Sequence, residues 1–173
     1  VITAKKSRDH TENFFKYLGI PIVIKKSKIN DEIRIKGQKF FRSFKYKVPS
    51  DPSSCAFFIV LTLLSKNCEL KIKSVNVNQS RIGYIKILNK MGAKIKIKNV
   101  KKLYGEKQGD ILVKSQPYLK NITCPSNLSS NLIDEFLIIF LAAAKANGVS
   151  SFSNLGELNK KESPRLKLGS KLL

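Results

Sequence analysis

The feature that most constrains the fold is an internal repeat. The dipeptide Ser-Arg occurs at positions 7–8 and again at 80–81, and a glycine follows at positions 19 and 92, so the two copies are offset by 73 residues. The pattern Pro-Ser-x-x-Ser-Ser likewise occurs at 49–54 and at 125–130. Repetition over this distance indicates a domain built from similar supersecondary units.

Each copy follows the same order of predicted elements. A helix follows Ser-Arg and ends at the glycine, a strand alternates Ile with Lys, and a second strand pairs with it. The Pro-Ser-x-x-Ser-Ser turn then begins a second, apolar helix, and a further strand at 70–75 or 149–155 leads to the next helix. The sequence therefore predicts a pseudo-symmetric α/β fold of βαβαββ units, each of about 75–80 residues.

The hydrophobic pattern predicts which layer is buried. The helices that begin near Pro52 and Ser129 are apolar nearly all round, which is typical of buried helices. The strands at 70–73 and 94–98 alternate apolar residues with Lys, so one face of each sheet should meet water. We therefore expect an inside-out arrangement, with the helices buried and the sheets outside.

Three sequence pairs predict helix starts. Asp9 with Glu12 has the spacing of a capping box, in which both side chains bond to backbone amides. Asp51-Pro52 and Ser163-Pro164 each place a capping residue before a proline in the first helical turn.

The charge balance points to an anionic partner without naming it. There are 33 basic and 12 acidic residues, a formal net charge of +21, which suits nucleic acid, acidic lipid or phosphorylated small ligands. Only five of the basic residues are arginine, the residue on which readers of base sequence usually depend. Lysine alternating with isoleucine is more simply a wet strand face, so the charge alone is weak evidence for nucleic acid.

The remaining composition excludes several classes. Three cysteines stand far apart, without the spacing of a zinc site or a disulfide framework, which suits a reducing cytoplasm and no metal. The longest apolar runs, at 55–64 and 136–144, are too short to span a bilayer. Because the chain begins at Val1 and stops within a helical pattern, we interpret it as an internal fragment of a longer protein.

Three places could carry chemistry. Asp134 is predicted one turn into the most apolar helix, where a carboxylate is costly unless it is paired or functional; alternatively it is a helix-start acid or half of an exposed pair with Glu135. Residues 160–165 place cations and a carboxylate at a predicted helix start, as an anion site or as a solvated turn. Arg8, at another helix start, could also bind an anion. His10, the one histidine, is given no role.

Five motifs in order resemble the 5-enolpyruvylshikimate-3-phosphate synthase family (3-phosphoshikimate 1-carboxyvinyltransferases). They are Ser-Arg-Asp-His-Thr-Glu at 7–12, Asp-Pro-Ser-Ser-Cys-Ala-Phe-Phe at 51–58, Asn-Gln-Ser-Arg-Ile-Gly at 78–83, Leu-Ile-Asp-Glu at 132–135 and Lys-Glu-Ser-Pro-Arg at 161–165. The resemblance covers essentially the whole chain. It implies two domains of βαβαββ units, with residues 1–47 ending one domain, 47–51 forming a hinge crossing and 48–173 beginning the other.

The resemblance also implies an activity and its residues. The family transfers the enolpyruvyl group of phosphoenolpyruvate to the 5-hydroxyl of shikimate 3-phosphate, releases phosphate and needs no cofactor. Asp134 matches the general base and Glu162 the proton-transfer acid. Arg8 and Lys161 match contacts to shikimate 3-phosphate, and Arg165 matches a clamp on phosphoenolpyruvate. The full-length protein would be a cytoplasmic monomer without nucleic-acid or membrane partners, and this chain alone would be inactive.

The chain departs from the family pattern near the site. Pro164 stands where the family has aspartate, Asn159 where it has arginine, and Asn131 where an arginine is usual. Two alternatives remain open. One is a UDP-N-acetylglucosamine enolpyruvyl transferase of the same fold. The motifs at 7–12 and 161–165 favour the shikimate substrate over this alternative. The other is a non-enzymatic basic RNA-binding module, although few aromatic residues interleave with the lysines as stacking platforms would require.

Overall fold

The computed structural model describes residues 1–5, 8–40, 43–160 and 162–173, which form helices and two small antiparallel sheets. In chain order the elements are β1 (Ile2–Lys5), α1 (His10–Tyr17), β2 (Ile22–Lys25), β3 (Asn30–Ile35), α2 (Pro52–Leu64), β4 (Glu69–Asn76), α3 (Gly83–Lys90), β5 (Lys96–Leu103), β6 (Glu106–Lys114), a 3₁₀ turn (Ser126–Leu132), α4 (Phe136–Ala144), a 3₁₀ turn (Gly156–Lys160) and α5 (Arg165–Leu172). No helix among the described residues is long and apolar enough to cross a membrane.

The two sheets repeat one topology, as the internal repeat predicted. The first has the order β1-β3-β2 and the second β4-β6-β5, and every neighbouring pair is antiparallel. In each sheet the strand after the glycine pairs with the next strand along the chain. The predicted α/β fold is confirmed in this respect.

The repeated glycines end their helices by the same hydrogen bonds. Gly19 (φ +73°) follows α1 and Gly92 (φ +95°) follows α3, both in the left-handed region that glycine tolerates best. The amide of Gly19 donates to the carbonyl of Lys16, and the next amide reaches back to Phe15. The corresponding bonds follow Gly92. Both ends are Schellman motifs, as the sequence predicted.

The apolar core lies within residues 55–158, between the helices and the inner face of the second sheet. It includes Ile59 on α2, Leu88 on α3, Ile111 on β6 and Ile139 on α4. The first sheet and α1 contribute almost nothing: α1 has no buried residue. Helices α2, α3 and α4 are therefore the inner layer beside the second sheet, as predicted.

The prediction that α2 is buried all round is wrong. Cys55, Ile59 and Leu63 are buried, whereas Phe57 and Phe58 on the opposite face are 56% and 59% exposed. Hydrophobicity on every face of a helix shows that each face favours burial. The part of the chain that the structure describes nevertheless leaves Phe57 and Phe58 exposed.

Only one of the predicted caps forms. Asp51 accepts a bond of 2.7 Å from the amide of Ser54 with Pro52 beginning α2, so this prediction is confirmed. The prediction of a capping box at Asp9 is wrong. Its carboxylate accepts a hydrogen bond from Asn78 Nδ2 at 2.7 Å and makes no cap bond. The prediction of a cap at Ser163 is also wrong, since α5 begins at Arg165 and has no side-chain cap.

The second copy of the repeat differs from the prediction after residue 125. The apolar helix begins at Phe136, after a 3₁₀ turn whose sequence is rich in Ser and Asn, residue types of low helix propensity. The strand predicted at 149–155 does not form; that segment makes only an isolated bridge from Ser151 to Thr123.

Helix α1 contacts the second sheet through a buried carboxylate. Glu106, 4% exposed, accepts a hydrogen bond from Asn13 Nδ2 at 3.1 Å and lies 3.1 Å from His10 Nδ1. Asn78 Nδ2 donates to the same carboxylate, at 3.1 Å. Helix α1 is therefore fixed to the start of β6 by polar contacts.

Candidate active site

Asp134 lies in the turn between the 3₁₀ turn and α4, not one turn into the helix as predicted. Its side chain is 26% exposed and faces cations rather than the apolar core. Arg8 Nη2 donates to Oδ2 of Asp134, and Arg165 Nη1 lies 3.4 Å from Oδ1. The carboxylate is thus held between two guanidinium groups.

The two arginines come from distant parts of the chain. Arg8 lies in the segment between β1 and α1, 126 residues before Asp134. Arg165 is the first residue of α5. Tertiary packing brings these predicted candidates together.

Glu162 extends the cluster outward. Its Oε2 accepts from Arg165 Nη2 at 3.1 Å, and its side chain is 84% exposed. Arg165 therefore bridges the two carboxylates that the sequence singled out. Lys161 and Ser7, which belong to the two motifs that carry these residues, lie outside the described residues.

This arrangement suits proton transfer beside a bound anion. Guanidinium groups grip carboxylates and phosphates in two places. Two carboxylates within reach of the same arginine can accept and donate protons when a polar substrate lies between them. The cluster combines anion binding with acid–base groups in one place.

Sequence reasoning missed a second, buried network directly behind Asp134. Glu135 is 2% exposed and accepts a hydrogen bond from Ser53 Oγ on the first turn of α2. Arg81 Nη2 donates to the same hydroxyl at 2.7 Å and to Asp51 Oδ1 at 3.1 Å. Glu135 is therefore not half of an exposed pair with Asp134.

Burial shifts the proton affinity of Glu135. Burial raises the pKa of Glu135, although the hydrogen bond from Ser53 and the positive charge of Arg81 partly oppose it. The one signal in the sequence was a second carboxylate beside Asp134, before an apolar helix. Its partners could not be found, because Ser53 lies 82 residues away.

The described part of the chain contains no group of three or more His, Cys, Asp or Glu residues that could hold a metal ion. Cys55, Cys68 and Cys124 are all free thiols.

Comparison with known proteins gives consistent matches. A family model described as EPSP synthase (3-phosphoshikimate 1-carboxyvinyltransferase) matches residues 2–171. The 3-phosphoshikimate 1-carboxyvinyltransferases of Thermodesulfovibrio yellowstonii and Petrotoga mobilis are 39% and 41% identical to this chain, over 94% and 96% of its length. The matched regions cover 37% and 38% of those relatives, so the chain spans little more than a third of their length.

Solved structures agree with the sequence matches. A structure of EPSP synthase from Acinetobacter baumannii is similar with a TM-score of 0.85 and 33% identity, covering 96% of this chain and 37% of that one. A second structure of EPSP synthase from the same organism gives a TM-score of 0.84. The predicted fold class is confirmed.

Proposed function

Because the chain belongs to the EPSP synthase family, we propose that the whole protein containing it transfers the enolpyruvyl group of phosphoenolpyruvate to the 5-hydroxyl of shikimate 3-phosphate and releases phosphate. The observation that carries the proposal is the meeting of Arg8, Asp134 and Arg165 in a chain that matches this family over residues 2–171. The matches favour this substrate over a UDP-sugar or RNA.

Each side chain of the cluster receives a role under this proposal. Asp134 is the general base at the 5-hydroxyl, and Glu162 is the proton-transfer acid near the methylene carbon of phosphoenolpyruvate. Arg8 and Lys161 contact shikimate 3-phosphate, and Arg165 holds phosphoenolpyruvate. The position of Arg165 between both carboxylates supports these roles, since one cation can then order the anion and both proton-transfer groups.

The proposed reaction balances with proton transfers alone. The 5-hydroxyl oxygen bonds to C2 of phosphoenolpyruvate while its proton passes to Asp134, and Glu162 gives a proton to the methylene carbon, C3. Glu162 then takes a proton back from the new methyl group, which re-forms the carbon–carbon double bond as the bond from C2 to the phosphate oxygen breaks. Asp134 returns its proton to the departing phosphate. The products are an enol ether and inorganic phosphate. No electrons are transferred, so the reaction needs no redox cofactor.

The remaining organisation belongs to the same proposal. We propose that residues 1–47 end one domain and 48–173 begin the other. The restriction of the core to residues 55–158 supports this boundary. The whole protein would be a cytoplasmic monomer that binds its two small anions and neither nucleic acid nor membrane. Free thiols at all three cysteines suit that compartment.

Phosphate release tests the function directly. The whole protein is given phosphoenolpyruvate and shikimate 3-phosphate, beside the variants Asp134→Asn and Glu69→Gln. Loss of the base should slow phosphate release by about 10²–10⁴-fold. Glu69→Gln alters an exposed carboxylate on β4 and should leave the rate unchanged.

Two results would contradict the proposed function, and a third would contradict the expectation for the isolated chain. A folded whole protein that releases no phosphate with shikimate 3-phosphate but does so with UDP-N-acetylglucosamine acts on the other substrate. A full rate in Asp134→Asn would remove the base from the mechanism. The 173-residue chain alone should be inactive, and phosphate release above a protein-free blank would overturn that expectation.

A further inference from the structure

We propose that Glu135 is a positioning residue, which acts through Ser53 and Arg81 to fix the place of Asp134 during the reaction. The inference rests on the proposed function, in which Asp134 is the base. It adds residues to which neither the motifs nor the comparisons give a role.

Asp134 and Glu135 are neighbours in sequence with opposite surroundings. The Asp134 carboxylate points to Arg8 and Arg165 at the partly open surface, whereas Glu135 is 2% exposed and points to Ser53. Two consecutive side chains that point to opposite sides determine the orientation of the backbone between them. Whatever fixes Glu135 therefore also fixes the base.

The hydroxyl of Ser53 has a defined direction. Arg81 Nη2 donates to Ser53 Oγ at 2.7 Å, so a lone pair of that oxygen is used and its proton is free to point at Glu135. The same Nη2 donates to Asp51, whose carboxylate caps α2 through Ser54. The bonds form a continuous path from the first turn of α2 to the residue after the base.

The Glu135 side chain links this turn to α2, in addition to the two arginines that hold Asp134. Glu135 is the N-cap position of α4 but its side chain makes no cap bond, because the carboxylate reaches α2 instead. In the backbone, the amide of Glu135 donates a hydrogen bond to the carbonyl of Leu132 at 3.0 Å. A displacement of about 1 Å at a reacting group can cost about 100-fold in rate, so an anchor outside the turn matters for the base.

The whole protein allows a direct test by steady-state kinetics. Ser53→Ala and Glu135→Ala each remove one end of the link, whereas Ser53→Thr keeps a hydroxyl and Glu135→Gln keeps an acceptor. We expect kcat to fall at least about tenfold in both alanine variants, with each KM changed less than about threefold. Ser53→Thr and Glu135→Gln should keep most of the activity.

A matched control and a double variant separate positioning from stability. Thr62→Val removes a buried hydroxyl from the same helix, one that donates to the carbonyl of Phe58 and does not reach the site. It should leave kcat unchanged even where it lowers the unfolding temperature. The double variant Ser53→Ala/Glu135→Ala should be no slower than the slower single variant, because both cut the same link.

Several outcomes would overturn the inference. Alanine variants that unfold at lower temperature but keep kcat would show a structural role only, and multiplied losses in the double variant would show that the residues act separately. If the wild-type whole protein is inactive with every substrate, the proposed function fails. Crystal structures then test the positioning: Glu135→Ala should displace the Asp134 carboxylate from Arg165, and an unmoved carboxylate would refute it.

Discussion

The rings of Tyr17 and Tyr104 meet edge to face with their centroids 5.6 Å apart, which joins the end of α1 to the turn between β5 and β6. Tyr46 lies against the same ring of Tyr104, at 4.8 Å. Tyr104 (φ +53°) and Gly105 (φ +82°) form a two-residue hairpin turn with both φ angles positive. A tyrosine is unfavourable there, by about 1–2 kcal/mol, so the contact with α1 is retained against local strain.

Tyr104→Asn should separate these two effects. Asparagine tolerates a positive φ, so the hairpin should stay intact, while two ring contacts worth about 0.5–1.5 kcal/mol each are lost. We expect backbone amides of α1 to exchange with deuterium several-fold faster, with those of β5 and β6 unchanged. The control is Tyr118→Asn, whose ring is 75% exposed. Unchanged exchange in α1 would show that the rings do not fix the helix.

Gly83→Ala should destabilise the protein although it lies in a helix. A Cβ at this position would lie 2.9 Å from the carbonyl oxygen of Asn131, a backbone atom that cannot swing aside. Overpacking of this kind typically costs about 1–3 kcal/mol in the free energy of unfolding, which outweighs the gain in helix propensity of about 1 kcal/mol.

Chemical denaturation measures the effect of Gly83→Ala. The control is Gly156→Ala, where an added Cβ has no heavy atom within 4 Å and φ is not positive. If Gly83→Ala proved as stable as the wild type, the 3₁₀ turn before Asp134 would have to move freely, which would also weaken the case that this turn is anchored.

The parts of the fold that could be predicted depend on neighbours in sequence. Gly19 and Gly92 end their helices through backbone bonds within six residues, and Asp51 caps through an amide three residues on. Asp9 has the same capping spacing, but its carboxylate accepts from Asn78, 69 residues away. A tertiary partner replaced the local one, and sequence spacing carries no information about it.

The candidate site also has one part that could be predicted from the sequence and one part that could not. Arg8, Asp134 and Arg165 could be named because each lies in a recognisable motif, although only the structure brings them within contact. Ser53 lies in a motif too, but its pattern predicts only a turn before α2. Its bond to Glu135 could not be predicted, because the sequence does not show that α2 and α4 pack together at their first turns.

Asp51→Ala should destabilise α2 at neutral pH by about 0.5–2 kcal/mol, the usual cost of a lost N-cap. Burial tends to raise the pKa of Asp51, but hydrogen bonds from Ser54 and the charge of Arg81 outweigh it, and the pKa lies below the ordinary 3.8. The stabilisation is therefore present above the unfolded pKa and is lost as the pH falls through the folded pKa.

Urea unfolding at pH 7 and in acid below the ordinary pKa of aspartate measures this dependence. The difference between the wild type and Asp51→Ala should shrink in acid. Asp51→Asn, whose side chain also caps well, should stay closer to the wild type at pH 7. An equal loss in the alanine variant at both pH values would mean that the ionised carboxylate is not what stabilises the helix start.

Glu135→Gln should stabilise the protein at neutral pH while keeping the bond from Ser53. Because burial raises the pKa of Glu135 above the ordinary 4.5, the folded chain retains a proton that the unfolded chain has released in the window between the two pKa values. The free energy of unfolding therefore falls as the pH rises through that window and stays low above it. Glutamine carries no charge to bury, so its advantage should appear at pH 7 and vanish below about pH 4.

Thermal unfolding at both pH values, with Glu69→Gln at an exposed site as the control, measures the difference. A glutamine variant less stable than the wild type at pH 7 would show that attraction between the Glu135 carboxylate and Arg81 outweighs the cost of burying it.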